Sequence, residues 1–221
     1  MAYLNGKKIL FSPHITIDGY DSGYTDGYEE GYADGEHDGL EVGISEGMRS
    51  MLALCADNST SLNSQFSGFS ITNFPSMDLS DYTNFSYMLS ECENLTIVGK
   101  LDTPDGTNFR GMFSDSTALW RIVGIDFSSA SINTNTQSAF SGCSALTDLT
   151  INGTLKTSLN LSSSTLLNTS IQSVLTALSA TPVASATITF TTSAESVITG
   201  SSELNALYQT ALTNGWTISF A

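Results

Sequence analysis

His14 and His37 are the only imidazoles in the 221-residue chain, and Cys55, Cys92 and Cys143 are its only thiols. Acid–base, nucleophilic or metal chemistry would have to be built from these five side chains and nearby carboxylates. A zinc site needs three or four ligands at close spacing, and a catalytic nucleophile needs a base within hydrogen-bond reach. His14 follows Pro13 with no such partner, and His37 sits between Glu36 and Asp38 in an acidic stretch, so both read as surface histidines. No G-x-S-x-G, P-loop or G-x-G-x-x-G pattern occurs. Asp-Gly pairs recur at 18–19, 26–27, 34–35 and 38–39. A calcium loop needs oxygen ligands at alternate positions, then glycine sixth and glutamate twelfth, and no window has that set. The expectation is a non-enzymatic chain with no catalytic, cofactor-binding or metal-binding residues.

Charge narrows the partners. Seven Lys and Arg stand against 22 Asp and Glu, a formal net charge of -15. A protein that grips phosphates needs a basic stripe to release counterions, and the longest basic run here is Lys7-Lys8, so nucleic acid is excluded as a partner. Membrane insertion is excluded too, because no stretch approaches the roughly eighteen uncharged apolar residues that a spanning helix needs. The start, MAYLNGKKILF, reaches Ser12 and Pro13 after a three-residue apolar run, too short for a secretory leader. The chain is expected to be intracellular or released without a leader. Ser and Thr number 34 and 27, so polarity comes from hydroxyls, which suits turns and the exposed faces of strands.

Two repeats organise the chain. Glycine falls at every fourth position, Gly19, Gly23, Gly27, Gly31, Gly35, Gly39, Gly43 and Gly47, and the first four are followed by Tyr20, Tyr24, Tyr28 and Tyr32. Spacing by four puts residues on neighbouring turns of one helical face, drifting by about 40° per repeat. Each glycine costs a helix about 1 kcal/mol relative to alanine, so the face needs compensation. Close approach of a second backbone along the glycines, with the tyrosines packed beside it, would supply that. These twelve residues are therefore the expected assembly interface of a homo-oligomer, such as a trimer; the alternative is a solvated acidic linker over 19–38. Ahead of it, Asn5-Gly6 between two β-favourable runs signals a hairpin, and Ile15-Thr16-Ile17 could add a strand.

The second repeat is longer. NFSYMLSECENLTIVG (84–99), NFRGMFSDSTALWRIVG (108–124) and TQSAFSGCSALTDLTING (136–153) align with offsets of 24 and then 27 residues. Leu89, Phe113 and Phe140 correspond, then Cys92, Ser116 and Cys143, then Leu95, Leu119 and Leu146, then Val98, Ile122 and Leu149. Cys92 and Cys143 fall two repeats apart, about twice the ~4.8 Å strand spacing and beyond disulfide reach, so they read as buried thiols. Beyond the repeats, helices are expected over Ser170–Leu178 and Glu203–Ala211, and strands over 186–191 and from Trp216 to Phe220. Trp120 and Tyr87 are candidate exposed contacts.

The F-x-x-C-x-x-L-x-x-L pattern over about residues 71–160 resembles the BspA-type leucine-rich repeats of bacterial and phage proteins. Ser116 in place of the cysteine and the long third repeat depart from it. The YLNGKK-I-x-FSP stretch and the L-N-L-S-x-S…G-W-T ending are similar to modules on proteins of gut-type bacteria and their phages. The turn signal, the two periods and the resemblance together give the expectation of an α+β chain: a β-hairpin attachment segment (1–18), an acidic glycine-repeat helix (19–57), a leucine-rich-repeat solenoid (58–165) and a helix-strand-helix-strand cap (166–221). The resemblance also implies a structural or adhesion protein of a virion, a fibre, neck, tail or capsid decoration, whose partners are itself, other virion proteins and a host-surface glycan or protein. The alternative is a bacterial surface adhesin or a carbohydrate- or protein-binding module at the cell surface.

Overall fold

The computed structural model describes residues 2–4, 7–9, 60–178, 181–183 and 185–221. At the start, β1 (Ala2–Leu4) and β2 (Lys7–Ile9) pair antiparallel, Ala2 opposite Ile9 and Leu4 opposite Lys7, as the intervening Asn-Gly predicts. The expected strand at Ile15–Ile17 and the glycine-periodic helix with its twelve interface residues lie outside the described residues.

From residue 60 onward the chain builds parallel sheets. The first contains β3 (Asn73–Phe74), β4 (Met77–Asp78), β5 (Ile97–Asp102), β6 (Arg121–Asp126) and β7 (Asp148–Asn152). Ile97 pairs with Arg121, which pairs with Asp148, so each strand lies one repeat from its neighbour. Leu149 and Ile151 alternate into the interior, whereas in β5 and β6 the alternation slips at Gly99 and Gly124, so that Val98 and Leu101, and Ile122 and Ile125, are buried three residues apart. Pro75 and Ser76 interrupt the edge strand, and the Ser76 hydroxyl takes the Lys100 amide at 2.9 Å in place of a ladder carbonyl.

The strands that end at Asp78, Asp126 and Asn160 share one corner. The amides of Ser80, Ser128 and Ser162 donate to the side-chain oxygens of Asp78, Asp126 and Asn160 at 3.0, 2.7 and 3.0 Å, while the middle residues Leu79, Phe127 and Leu161 are buried. Such Asx turns let a short acid or amide side chain stand in for a backbone partner. An arc of tight turns follows, beginning near Ser61, Asn84, Asn108 and Asn135. Alternate amides in an arc donate to the arc one repeat on: Phe85 to Asn108 at 2.7 Å, Tyr87 to Arg110 at 2.8 Å, Leu89 to Met112 at 2.8 Å. The amides between them close turns inside the arc. Phenylalanines stack through the interior, Phe85 on Phe109 at 5.2 Å and Phe113 on Phe140 at 5.6 Å.

The second sheet is also parallel, in the order β10 (Thr217–Phe220), β9 (Thr187–Phe190), β8 (Leu159–Asn160). Helix α1 (Asn168–Ala177) connects β8 to β9, and α2 (Thr192–Gly200) with α3 (Ser202–Thr213) connects β9 to β10. Helix α1 covers the free edge of β7: the hydroxyls of Ser170 and Ser173 accept the amides of Leu149 and Ile151 at 2.8 and 2.9 Å. An edge that would otherwise offer a row of unpaired amides is closed by side chains.

These sheets correct the expected fold class. The expectation was α+β, with a leucine-rich-repeat solenoid as the body and a cap at its end; the described residues instead form an α/β arrangement of parallel sheets with three α-helices. The physical reason lies in the connections. Parallel strands cannot be joined by tight hairpins and need crossovers, and here helices supply them between β8, β9 and β10. The region after residue 158 therefore forms βαβ units with their own sheet. Helix α2 was not expected at all, because TTSAESVITG is rich in β-branched residues and ends in glycine.

Candidate binding surfaces

Among the described residues both thiols are buried. His14, His37, Cys55 and the interface residues Gly19 to Tyr32 and Gly35 to Gly47 lie outside the described residues, and no group of three or more His, Cys, Asp or Glu within metal-binding distance occurs among those described. Cys92 and Cys143 are free and buried. Burial pushes both thiols up, Cys143 to about 12 with Asp115 adding a smaller repulsion. Each thiol donates to a carbonyl one repeat back, Cys92 to Phe66 at 3.2 Å and Cys143 to Phe113 at 3.1 Å. Ser116 does the same to Leu89 at 2.8 Å. What the sequence pattern presents as a departure is one donor replacing another.

Two surfaces carry recognition chemistry. The first stands at the mouth of the five-stranded sheet, where Thr96, Trp120 and Thr147 form a column: the Trp120 amide donates to Thr96 at 3.0 Å and the Thr147 amide to Trp120 at 3.0 Å. Trp120 is 39% exposed where its neighbours are threonines. The Arg121 guanidinium carbon lies 6.0 Å from the indole centroid, and its Nε is 3.1 Å from Asp148 Oδ2. Val123, two residues along β6 on the same face, is also exposed. A flat apolar ring beside a steered arginine thus sits on backbone held from both sides. Tyr87, the other expected contact, is half exposed but packs its ring over Gly111, and both residues have left-handed backbone.

The second surface is a groove of about 400 Å³ between the last arc and the second sheet. One wall is Asn133, Thr134, Thr136, Gln137 and Ser138. The other is Ser158, Leu159 and Asn160 with Thr187 and Thr189. Neither wall bears a charge. Sequence reasoning missed this site because its walls lie some 20 to 50 residues apart and consist of Ser, Thr, Asn and Gln, residue types spread over the whole chain.

No helix among the described residues is long and apolar enough to cross a membrane. No protein-family model, no curated protein and no solved structure matches the chain.

Proposed function

We propose that this chain is a non-enzymatic structural or adhesion protein of a phage virion that oligomerises through its N-terminal segment and presents its parallel-sheet body to a partner. The observation that carries the adhesion part is Trp120, exposed at a column otherwise made of threonines and braced by Arg121 and Asp148. Tryptophan and arginine are the residue types that most often dominate binding energy, and a rigid backbone spares the ordering cost. The virion part rests on the resemblance of the repeats and of the N-terminal stretch.

Adsorption to bacterial cells tests the first part. The labelled full chain should bind whole cells of a susceptible strain, and Trp120→Ala should lose most of that binding while keeping the wild-type circular dichroism spectrum. Unchanged binding by Trp120→Ala would remove this face from the reading. Genes flanking the coding sequence test the second part: capsid, portal or tail genes support a virion component, and their absence turns the reading to a bacterial surface adhesin.

A further inference from the structure

We propose that the groove between the last arc and the β8–β9 pair binds a neutral oligosaccharide, at a site separate from the Trp120 face. Nine of its ten lining residues are Ser, Thr, Asn or Gln, and none is charged. A charged ligand there would lose hydration without gaining an opposite charge, which disfavours acidic or basic groups. Hydroxyls and primary amides each donate and accept, and so do sugar hydroxyls, so such walls can satisfy a polyol whichever way its protons point.

The arc also holds a donor that the fold leaves open. At the equivalent position of the three preceding arcs, the amides of Ser64, Tyr87 and Gly111 donate to carbonyls of the next arc at 2.9, 2.8 and 3.0 Å. Ser138 shares their left-handed backbone, with φ 59°, but its amide has no partner among the described residues, and the residue is exposed. The side chains of Gln137 and Thr134 beside it are likewise exposed and make no hydrogen bond among the described residues.

An added peptide strand fits this groove poorly. The outer edge of β8 is already taken: the Ser158 amide donates to Asn133 Oδ1 at 2.9 Å, and the Ser158 carbonyl accepts the Thr136 hydroxyl. Strand addition needs a run of open main-chain donors and acceptors, whereas this groove offers side chains and one amide. A volume of about 400 Å³ lies within the range of small-ligand sites.

The test is a titration of the 15N-labelled full chain with neutral trisaccharides of glucose, mannose, galactose and N-acetylglucosamine, with sialyllactose as the acidic comparison. At least one neutral sugar should shift the Gln137 and Ser138 amide signals saturably at millimolar concentration, and sialyllactose should not. Gln137→Ala and Thr134→Val, both at exposed positions that leave the core intact, should weaken the response about tenfold each. The proposal is overturned if no neutral sugar moves these signals, if the two variants respond as wild type does, or if sialyllactose binds equally well. A response abolished by Trp120→Ala and not by Gln137→Ala would place sugar at the other face, leaving the adhesion reading intact and removing this one.

Discussion

Cys92, Ser116 and Cys143 occupy one position in three successive repeats, and each donates to a carbonyl of the repeat before it. Interchange of thiol and hydroxyl follows from that role. Cys143→Ser keeps the donor and should change stability little, whereas Cys143→Val removes one of the two donors on the Phe113 carbonyl, which keeps the Ser116 amide, and should cost about 0.5–1.5 kcal/mol in a urea titration. The raised thiol also makes a pH prediction. Folding holds a proton on Cys143 that the unfolded chain releases near 9.0, so its contribution is complete below that pH and is lost as pH rises toward about 12. Urea midpoints measured across that window should fall less steeply for Cys143→Ser than for wild type. Gly111 shows steric control at the same scale: its φ is +59°, and an added Cβ would overlap the Tyr87 ring. Gly111→Ala should destabilise by about 1–3 kcal/mol, and Tyr87→Ala in the same chain should return the part due to overlap but not the part due to the backbone.

Hydroxyls explain the behaviour of whole elements. The Ser and Thr content reads from composition as a surface and turn property, yet Thr103, Ser116, Thr136 and Ser170 are buried and stand in for missing ladder partners. Among the described residues every buried side-chain nitrogen and oxygen has a hydrogen-bond partner. At the α1–β7 edge this substitution is most exposed to test. Ser170→Ala and Ser173→Ala each leave a β7 amide unpaired and should cost about 1–3 kcal/mol, and the double variant should aggregate faster on heating because the edge is reopened. Legibility at this scale was uneven. The apolar spacing of Ile171, Val174, Leu175 and Leu178 marked α1, and alternation marked β9. The first arc went unnoticed: in SLNSQFSGFSI (61–71), Phe69 stands where Cys92 and Cys143 do, and the spacing slips by one residue before Ile71.

For the whole molecule, ten of the 22 acidic residues fall between Asp18 and Glu46, where no Lys or Arg occurs. If copies of the chain meet along the glycine stripe, their carboxylates must face outward and repel. Association measured by light scattering should then strengthen as salt screens that repulsion. A chain that stays monomeric at every ionic strength would remove the assembly half of the proposed function. Binding through the sheet and groove does not depend on that result, because both surfaces are complete within one copy.

The sequence by itself determined the spacing of the buried Phe and Leu positions, the α1, β9, α3 and β10 segments, and the antiparallel pair at the N-terminus. Each of these follows from a period or a turn signal contained within a few residues. Only the tertiary structure decided the α/β class, the pairing of Arg121 with Asp148 beside Trp120, the edge closure by Ser170 and Ser173, and the groove. All of these join residues more than twenty positions apart through hydroxyls, amides or charges. Burial selects apolar residues at fixed intervals and leaves a trace in the sequence, whereas a hydrogen-bond partner is chosen by whatever the stacking brings alongside.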